Sequence, residues 1–251
     1  MSDGDSRGLR PPRPAFEFVL VHGGSHGAWC WERLRAELSR RGYRSHALDL
    51  PGHGQDDTPR REVTWLSQVD ALDAFVRELG SQQVVLVGHS LAGVLIPEVA
   101  KRRSSVVRQL VFLACILIDP GECALDALEA DMREKYREMA RASADRTIFL
   151  DYEVARVRFF GGLSDPEARA FYEKTTPQPI AVYQAPARTR VRDLDIPLRY
   201  FGFTQDEAVR PERALQFASK AGIPIETIES AHDAMLSQPQ ELAERLIAGL
   251  P

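Results

Sequence analysis

The chain has 251 residues, of which 44% are hydrophobic, and it carries a formal net charge of -4. This length and hydrophobic content suit a single α/β domain with a sizeable core. The slightly acidic balance argues against nucleic acid or an anionic membrane as the main partner.

The first 14 residues contain three arginines and three prolines but no apolar core. This composition predicts a flexible lead at 1–14 rather than a secretory signal, followed by a single domain at 15–251. No apolar run approaches the length of a membrane span. The three cysteines form neither a disulfide framework nor a zinc spacing, which favours a reducing, cytoplasmic setting. We expect Cys30 and Cys115 in the core and Cys123 partly exposed.

Short apolar segments alternate with amphipathic ones along most of the chain. In chain order they read strand 16–21, helix 28–41, strand 43–48, helix 65–79, strand 84–87, a helix from Ala92, strand 107–113, strand 198–203, helix 211–221, strand 223–228 and helix 239–249. Nearly continuous apolar strands between helices are typical of a parallel sheet that is buried on both faces. The sequence therefore predicts an α/β fold with a mainly parallel sheet flanked by helices.

The interval from about 119 to 195 breaks this alternation. It begins with an amphipathic segment whose apolar side chains share one helical face: Leu125, Leu128, Met132, Tyr136 and Met139. A second helix is expected to start at Ser164, which can cap it, with Pro166 in the first turn. An insertion of this size between core strands predicts a helical cap over the functional site.

The segment Gly88-His89-Ser90-Leu91-Ala92-Gly93 lies between an apolar strand and a helix. A Gly-x-Ser-x-Gly pattern in this context is the nucleophile elbow, where a sharp turn exposes the serine above the sheet edge. Flanking glycines are needed because side chains there would clash with the neighbouring strand and helix. The alternative is that Ser90 only caps a helix, and the strand-turn-helix context favours the nucleophile.

A serine hydroxyl is a poor nucleophile at neutral pH and needs a base. Of the six histidines, His232 lies in the loop after the last strand, from which it can reach Ser90, and we predict that it is the general base. His89 is adjacent to the serine and should point elsewhere, and His22 is expected to shape the first loop. His26 is a candidate for the pocket mouth, with a structural hydrogen bond as the equal alternative.

An acid must orient the imidazole, and in elbow enzymes it falls between the serine and the histidine in chain order. Asp206 follows the strand at 198–203 and is the preferred acid, although its neighbour Glu207 could be mistaken for it. Asp119, after the strand at 107–113, is the reserve.

Two backbone N–H groups should form an oxyanion hole. One belongs to Leu91, the residue after the nucleophile, and the other to Gly24 in the loop after the first strand. Phe159, Phe160 and Tyr183 are candidate pocket residues, although a residue of this type is more often simply part of the core.

With these residues in place, the chain resembles the α/β-hydrolases, and among them the plant methylesterase and hydroxynitrile lyase group with its bacterial esterase relatives. The matching segments are 18–23, 26–31, 47–54, 88–93, 205–207 and 232–236, and less specifically 171–172 and 177–179. The resemblance implies an α/β-hydrolase fold with a helical cap, a triad of Ser90, Asp206 and His232, and oxyanion donors at Gly24 and Leu91.

Two departures from that group bear on activity. Its lyases have a threonine after the first-loop histidine and a lysine after the triad histidine, where this chain has Gly23 and Asp233. Cyanohydrin cleavage needs a cation near the leaving cyanide, so the resemblance implies an esterase rather than such a lyase.

The sequence predicts a serine hydrolase that cleaves a small, hydrophobic or aromatic carboxylic ester through an acyl-enzyme. The alternatives are lactone or thioester hydrolysis or a lyase or cyclase step by the same triad and, less favoured, a non-catalytic ligand-binding receptor. No metal or organic cofactor is expected. The expected partner is a small-molecule substrate, without nucleic acid or membrane, and a homodimer is left open.

Overall fold

Six parallel strands form the central sheet in a computed structural model that describes residues 16–81 and 83–251. The predicted lead at 1–14 lies outside these residues. The strands are β1 (Glu17–Val21), β2 (Arg44–Ala47), β3 (Val84–His89), β4 (Val107–Leu113), β5 (Thr147–Ile148), β6 (Gln178–Pro179), β7 (Leu198–Phe203) and β8 (Ile225–Ile228). Strands β5 and β6 form a separate antiparallel pair.

The sheet order is β2-β1-β3-β4-β7-β8, and every neighbouring pair is parallel. Strand β3 is central and wholly buried, since its run of valine and leucine packs against both layers of helices. Its register places Val87 beside Leu20 of β1 and Val111 of β4. All three strands therefore end at one edge, where the loops that follow them meet.

Helices flank the sheet, as predicted. They are α1 (Glu32–Arg40), α2 (Trp65–Glu78), α3 (Ile96–Arg102), α4 (Ala130–Ala142), α5 (Tyr152–Arg158), α6 (Asp165–Tyr172), α7 (Ile180–Gln184), α8 (Pro211–Lys220), α9 (Ala234–Ser237) and α10 (Pro239–Ala248). Helix α1 packs against α10, and α2 packs against α3. Short 3-10 turns at Ala28–Trp31 and Ser90–Val94 precede α1 and α3.

The cap, residues 119–195, carries α4 to α7 and the β5–β6 pair between strands β4 and β7. Helix α4 begins only at Ala130, so Leu125 and Leu128 precede it in turns rather than sharing its face. Helix α6 follows Ser164, whose N–H donates to Oε2 of Glu167 over 3.1 Å. The sequence indicated neither α5 nor α7, because each is too short to show a clear helical period.

The cysteines lie as expected: Cys30 and Cys115 are buried, Cys123 is partly exposed, and all three are free. Among the described residues, no helix has the length and apolar character that crossing a bilayer requires.

Candidate active site

Ser90 lies at the sharp junction between β3 and the 3-10 turn that precedes α3. Its φ of 53° is in the left-handed region, which is strained for a residue with a side chain and typical of a nucleophile elbow. The N–H of Ile116 donates to the Ser90 carbonyl over 3.1 Å and holds the turn in place. A Cβ atom at Gly88 would lie 2.7 Å from Cδ1 of Ile96, and one at Gly93 would overlap the Ile116 carbonyl oxygen. Close packing therefore requires both glycines of the elbow.

His232 and Asp206 form a buried pair, each with 1% of its surface exposed. Nδ1 of His232 donates to Oδ2 of Asp206 over 2.7 Å. Oδ1 of Asp206 accepts from the N–H groups of Ala208 and Val209 at 2.7 and 2.8 Å. These bonds hold the carboxylate in one orientation. They make Nδ1 the protonated nitrogen and leave Nε2 of His232 as the acceptor that a general base needs.

Asp119, the reserve acid, lies elsewhere. Its carboxylate is at the surface, 3.4 Å from Nε of Arg190 and 3.6 Å from Nζ of Lys220. Glu207 is also exposed and pairs with Arg210 over 3.4 Å. Of the three candidate acids, the structure brings only Asp206 to the histidine.

Gly24 and Leu91 lie next to each other beside the elbow. A Cβ atom at Gly24 would lie 3.5 Å from Cδ2 of Leu91. Within the described part of the chain, neither backbone N–H donates a hydrogen bond to another protein group. Both amides are therefore available to a ligand oxygen, which is what an oxyanion hole requires.

A cap residue holds the loop that contains Gly24. Oε1 of Gln178, on β6, accepts from the N–H of Ser25 at 3.2 Å and from Nε2 of His53 at 2.9 Å. Ser25 itself has a φ of 64°, so its left-handed turn depends on such support. Burial lowers the pKa of His53, which is therefore neutral and donates to Gln178 through Nε2.

His22 holds the same loop from below. Its Nε2 accepts from the N–H of Leu50 at 3.1 Å, which leaves Nδ1 to donate to the Gly23 carbonyl over 2.8 Å. Burial lowers the pKa of His22 well below its ordinary value, so the ring is neutral. The expected shaping role of His22 agrees with these contacts.

His26 and Asp233 form a second buried histidine–carboxylate pair. Nε2 of His26 lies 2.9 Å from Oδ2 of Asp233, and Nδ1 lies 2.8 Å from the Gly24 carbonyl. Burial opposes protonation, but the Asp233 carboxylate outweighs it, so the pKa of His26 is raised. The ring stacks on Trp29 and is 1% exposed. The structural hydrogen bond is thus the better description, and His26 is not a pocket residue.

His89, next to the nucleophile, points away from it. Its Nε2 donates to the His232 carbonyl over 3.1 Å, and the two rings are 4.4 Å apart. Burial and the neighbouring His232 lower the pKa of His89 well below its ordinary value. It is a neutral side chain that supports the backbone of His232.

Ser90 lines an open cavity. The empty space in this cavity is about 690 Å³ when the solvent at its mouth is included. Apolar side chains form about half of its wall: Ile116, Ala127, Leu128, Met132, Phe159, Ala208, Val209 and Phe217. The other lining residues besides Ser90 are polar or charged: Glu129, Tyr136, Arg158, Tyr183, Glu207, Arg210 and Arg213. Of the predicted pocket residues, Phe159 and Tyr183 line this cavity. Phe160 is fully buried and does not, because it faces the core.

Three of the buried side chains could in principle hold a metal ion. Within the described residues, His89, His232 and Asp233 offer ligand atoms within 4.8 Å of one another. These groups already bond to the His232 carbonyl, Asp206 and His26, respectively. These bonds fix the orientation of the three side chains, while Nδ1 of His89 and Oδ1 of Asp233 have no hydrogen-bond partner among the described residues.

The sequence did not assign roles to Gln178, Arg158 or Asp233. Gln178 had a visible signal, the Pro177-Gln178-Pro179 segment of the cap. Asp233 was considered as a cavity charge, but it does not line the cavity and faces His26. Arg158 had no signal, because it is one of many arginines interleaved with acidic residues.

Residues 18–245 match the family model described as "Alpha/beta hydrolase family". The probable esterase PIR7A of Oryza sativa subsp. indica is 28% identical over 253 residues, which cover 92% of this chain and 95% of the rice protein. Methylesterase 10 of Arabidopsis thaliana is 39% identical over 102 residues, covering 40% of this chain and 37% of that protein. A solved extracellular alpha/beta-hydrolase from a Paenibacillus species superposes with a TM-score of 0.87 at 23% identity, covering 93% of this chain and 98% of that one.

Proposed function

The chain belongs to the alpha/beta hydrolase family and is a carboxylic ester hydrolase, and we propose that it acts through an acyl-enzyme formed on Ser90. Oγ of Ser90 attacks the ester carbonyl carbon, and its proton passes to Nε2 of His232. The carbonyl oxygen becomes an oxyanion held by the N–H groups of Gly24 and Leu91. The alcohol leaves with the proton from His232.

Water completes the cycle by attacking the acyl carbon while His232 takes its proton. The carboxylic acid then departs, and the proton returns to Oγ of Ser90. Asp206 orients the imidazole throughout and stabilises its charged form. Every proton transfer in this cycle uses the same ring nitrogen, and no bound metal is invoked for any step.

One observation carries this proposal: a serine at a left-handed elbow lines the same cavity as Phe159, whose ring lies 5.9 Å from that of His232, and Asp206 fixes this buried histidine through Nδ1. A helix-capping serine would need neither the strained backbone nor the oriented imidazole. A binding receptor would need the cavity but not this pair.

The apolar part of the cavity wall supports a small hydrophobic or aromatic substrate. Leu128, Met132 and Phe159 line the cavity together with Ser90. Their carbon surface stabilises a bound substrate that buries an apolar group there. The similarity to plant methylesterases supports an ester with a small alcohol group as the substrate. A cytoplasmic location and a homodimer remain predictions from the sequence.

Turnover of p-nitrophenyl acetate and p-nitrophenyl butyrate tests the proposal. We expect release of nitrophenol by the wild-type protein and its loss in Ser90→Ala, with fluorophosphonate labelling of the wild type only. Labelling without turnover of esters would favour a lactone, thioester or lyase substrate for the same triad. Tight ligand binding with neither labelling nor turnover would favour a receptor and overturn the proposal.

A further inference from the structure

Arg158 places a guanidinium group in the wall of the Ser90 cavity. It lies in the last turn of α5 and is partly buried. Nη2 donates to the Ala208 carbonyl over 3.2 Å, but Nε is buried and has no hydrogen-bond partner. Among residues 16–81 and 83–251, no carboxylate forms an ion pair with this guanidinium. Burying part of a charged group without a partner costs free energy, and a bound ligand of opposite charge would offset that cost.

Two phenols share this part of the cavity with Arg158. Tyr136 and Tyr183 are almost fully buried, and their ring centroids lie 5.4 Å apart. Burial raises the pKa of both, and the nearby Arg158 charge offsets only part of this. Both side chains therefore stay protonated, and a hydrogen bond between the two hydroxyls uses one of their O–H groups. Together these residues present a positive charge and one O–H donor to the cavity.

The other charges at the cavity do not cancel Arg158. Glu129 and Glu207 flank Arg210, with N–O separations of 3.6 and 3.4 Å. Arg213 donates to the Ala127 carbonyl over 2.6 Å and lies over the Phe217 ring. The three arginines exceed the two glutamates by one charge, and Arg158 is the one with an unused buried donor. The cavity thus offers apolar surface with one anion-binding end.

We propose that Arg158 is an anion subsite and that the substrate is an amphiphilic ester bearing a carboxylate. The carboxylate pairs with the Arg158 guanidinium and one tyrosine hydroxyl, while the ester group lies at Ser90. Guanidinium groups bind carboxylates through paired hydrogen bonds, and the terminal nitrogens of Arg158 have N–H groups that the bond to the Ala208 carbonyl does not use. This inference rests on the proposed function, and it narrows the substrate from any apolar ester to an anionic one.

Matched ester pairs test the subsite and locate the carboxylate on the substrate. For the acyl side we compare monomethyl glutarate with methyl 5-methylhexanoate, in which an isopropyl group replaces the carboxylate. For the alcohol side we compare 3-carboxyphenyl butyrate with 3-isopropylphenyl butyrate. We expect kcat/KM for the anionic member of one pair to exceed that of its neutral partner by about 10-fold or more.

Arg158→Gln should remove this preference by lowering kcat/KM for the anionic ester about 10-fold or more, while the neutral ester changes less than about 3-fold. Arg158→Lys keeps the charge without the planar fork and should retain part of the preference. Arg213→Gln is the matched control, because it removes one positive charge from the same cavity but from a guanidinium already held by Ala127 and Phe217. Thermal melts establish that each variant is folded.

Equal rates within both pairs, unchanged by Arg158→Gln, would overturn the subsite and leave the proposed function standing. Failure to hydrolyse any of these esters would instead count against the proposed function. In that case calorimetric titration of monomethyl glutarate into Ser90→Ala decides the subsite without turnover. Binding that is lost in the Ser90→Ala, Arg158→Gln double variant supports the subsite, and binding equal in both variants, or absent from both, refutes it.

Discussion

The N–H of Ser25 donates to Oε1 of Gln178 over 3.2 Å, although 153 residues separate the two in the chain. This bond joins the cap to the loop that presents the Gly24 amide. The cap therefore helps to position the loop of the proposed oxyanion donor as well as covering the cavity, because Gln178 accepts from the residue that follows Gly24.

Replacing Gln178 should impair chemistry more than binding. In Gln178→Ala the Ser25 N–H loses its acceptor, so the Gly24 amide is displaced from the oxyanion. We expect kcat for p-nitrophenyl butyrate to fall about 10- to 100-fold with KM changed less than about 3-fold. Gln184→Ala, at an exposed position on α7, is the control and should leave both constants unchanged. An unaltered kcat in a folded Gln178→Ala protein would contradict this role.

Asp206→Asn should lower kcat by about 10³- to 10⁴-fold, since an amide can donate to the histidine and favour the wrong tautomer. The Oδ1 bonds to Ala208 and Val209 can persist, so the loop should fold. Steady-state kinetics with p-nitrophenyl butyrate measure the loss. Asp119→Asn is the matched control at the reserve position and should retain wild-type rates. Wild-type rates in Asp206→Asn together with a large loss in Asp119→Asn would identify Asp119 as the acid instead.

Adjacent glycines of the first loop should differ sharply in their tolerance of alanine. A Cβ at Gly23 would lie 2.9 Å from Cβ of Ser90 and 3.1 Å from Nδ1 of His89, so it must displace the nucleophile. At Gly24 the nearest atom is Oε1 of Gln178 at 3.2 Å. We expect Gly23→Ala to lose at least about 100-fold in kcat and Gly24→Ala to stay within about 10-fold of wild type. Fluorophosphonate labelling rates provide an independent readout, and equal losses in the two variants would count against this geometry.

The His26–Asp233 pair should make stability depend on pH. His26 has a raised pKa in the folded protein, so its contribution is fully present below the unfolded value of about 6.5 and is lost as pH rises through the folded value. Asp233→Asn removes the carboxylate and leaves a buried imidazole that resists protonation. The Tm difference between wild type and this variant should therefore be largest near pH 5.5 and shrink toward pH 9.

A second histidine–carboxylate pair serves as the control for that measurement. Nε2 of His46 lies 2.8 Å from Oε2 of Glu17, but both side chains are partly exposed. Solvent screens such a pair, so Glu17→Gln should produce only a small Tm change. A Tm difference for Asp233→Asn that stays constant from pH 5.5 to 9 would disprove the role assigned to His26.

Much of the site could be predicted because its signals are local. The elbow needs only a strand, two glycines and a helix in sequence, so Ser90 was identified from six consecutive residues. His232 and Asp206 each follow a predicted strand of the sheet, and parallel strands deliver their carboxyl ends to one edge. The predicted strands at 107–113 and 198–203 agree with β4 and β7 to the residue.

Contacts between distant residues could not be predicted in this way. Asp119 and Asp206 both follow core strands, and only the fold shows that one meets His232 while the other pairs with Arg190 at the surface. His26 and Asp233 are 207 residues apart, and nothing local to either indicates a bond.

The amino-acid sequence by itself determined the fold class and predicted the nucleophile, the acid and the base, because hydrophobic periodicity, turn chemistry and chain order are properties of short segments. Only the tertiary structure decided three other features. These are the contact of Gln178 in the cap with the loop that contains Gly24, the burial that keeps some histidines neutral, and the position of Arg158 in the cavity wall. These features depend on how deeply each side chain is buried and on its distance from residues far away in the chain. Both quantities are set only when the whole domain has folded.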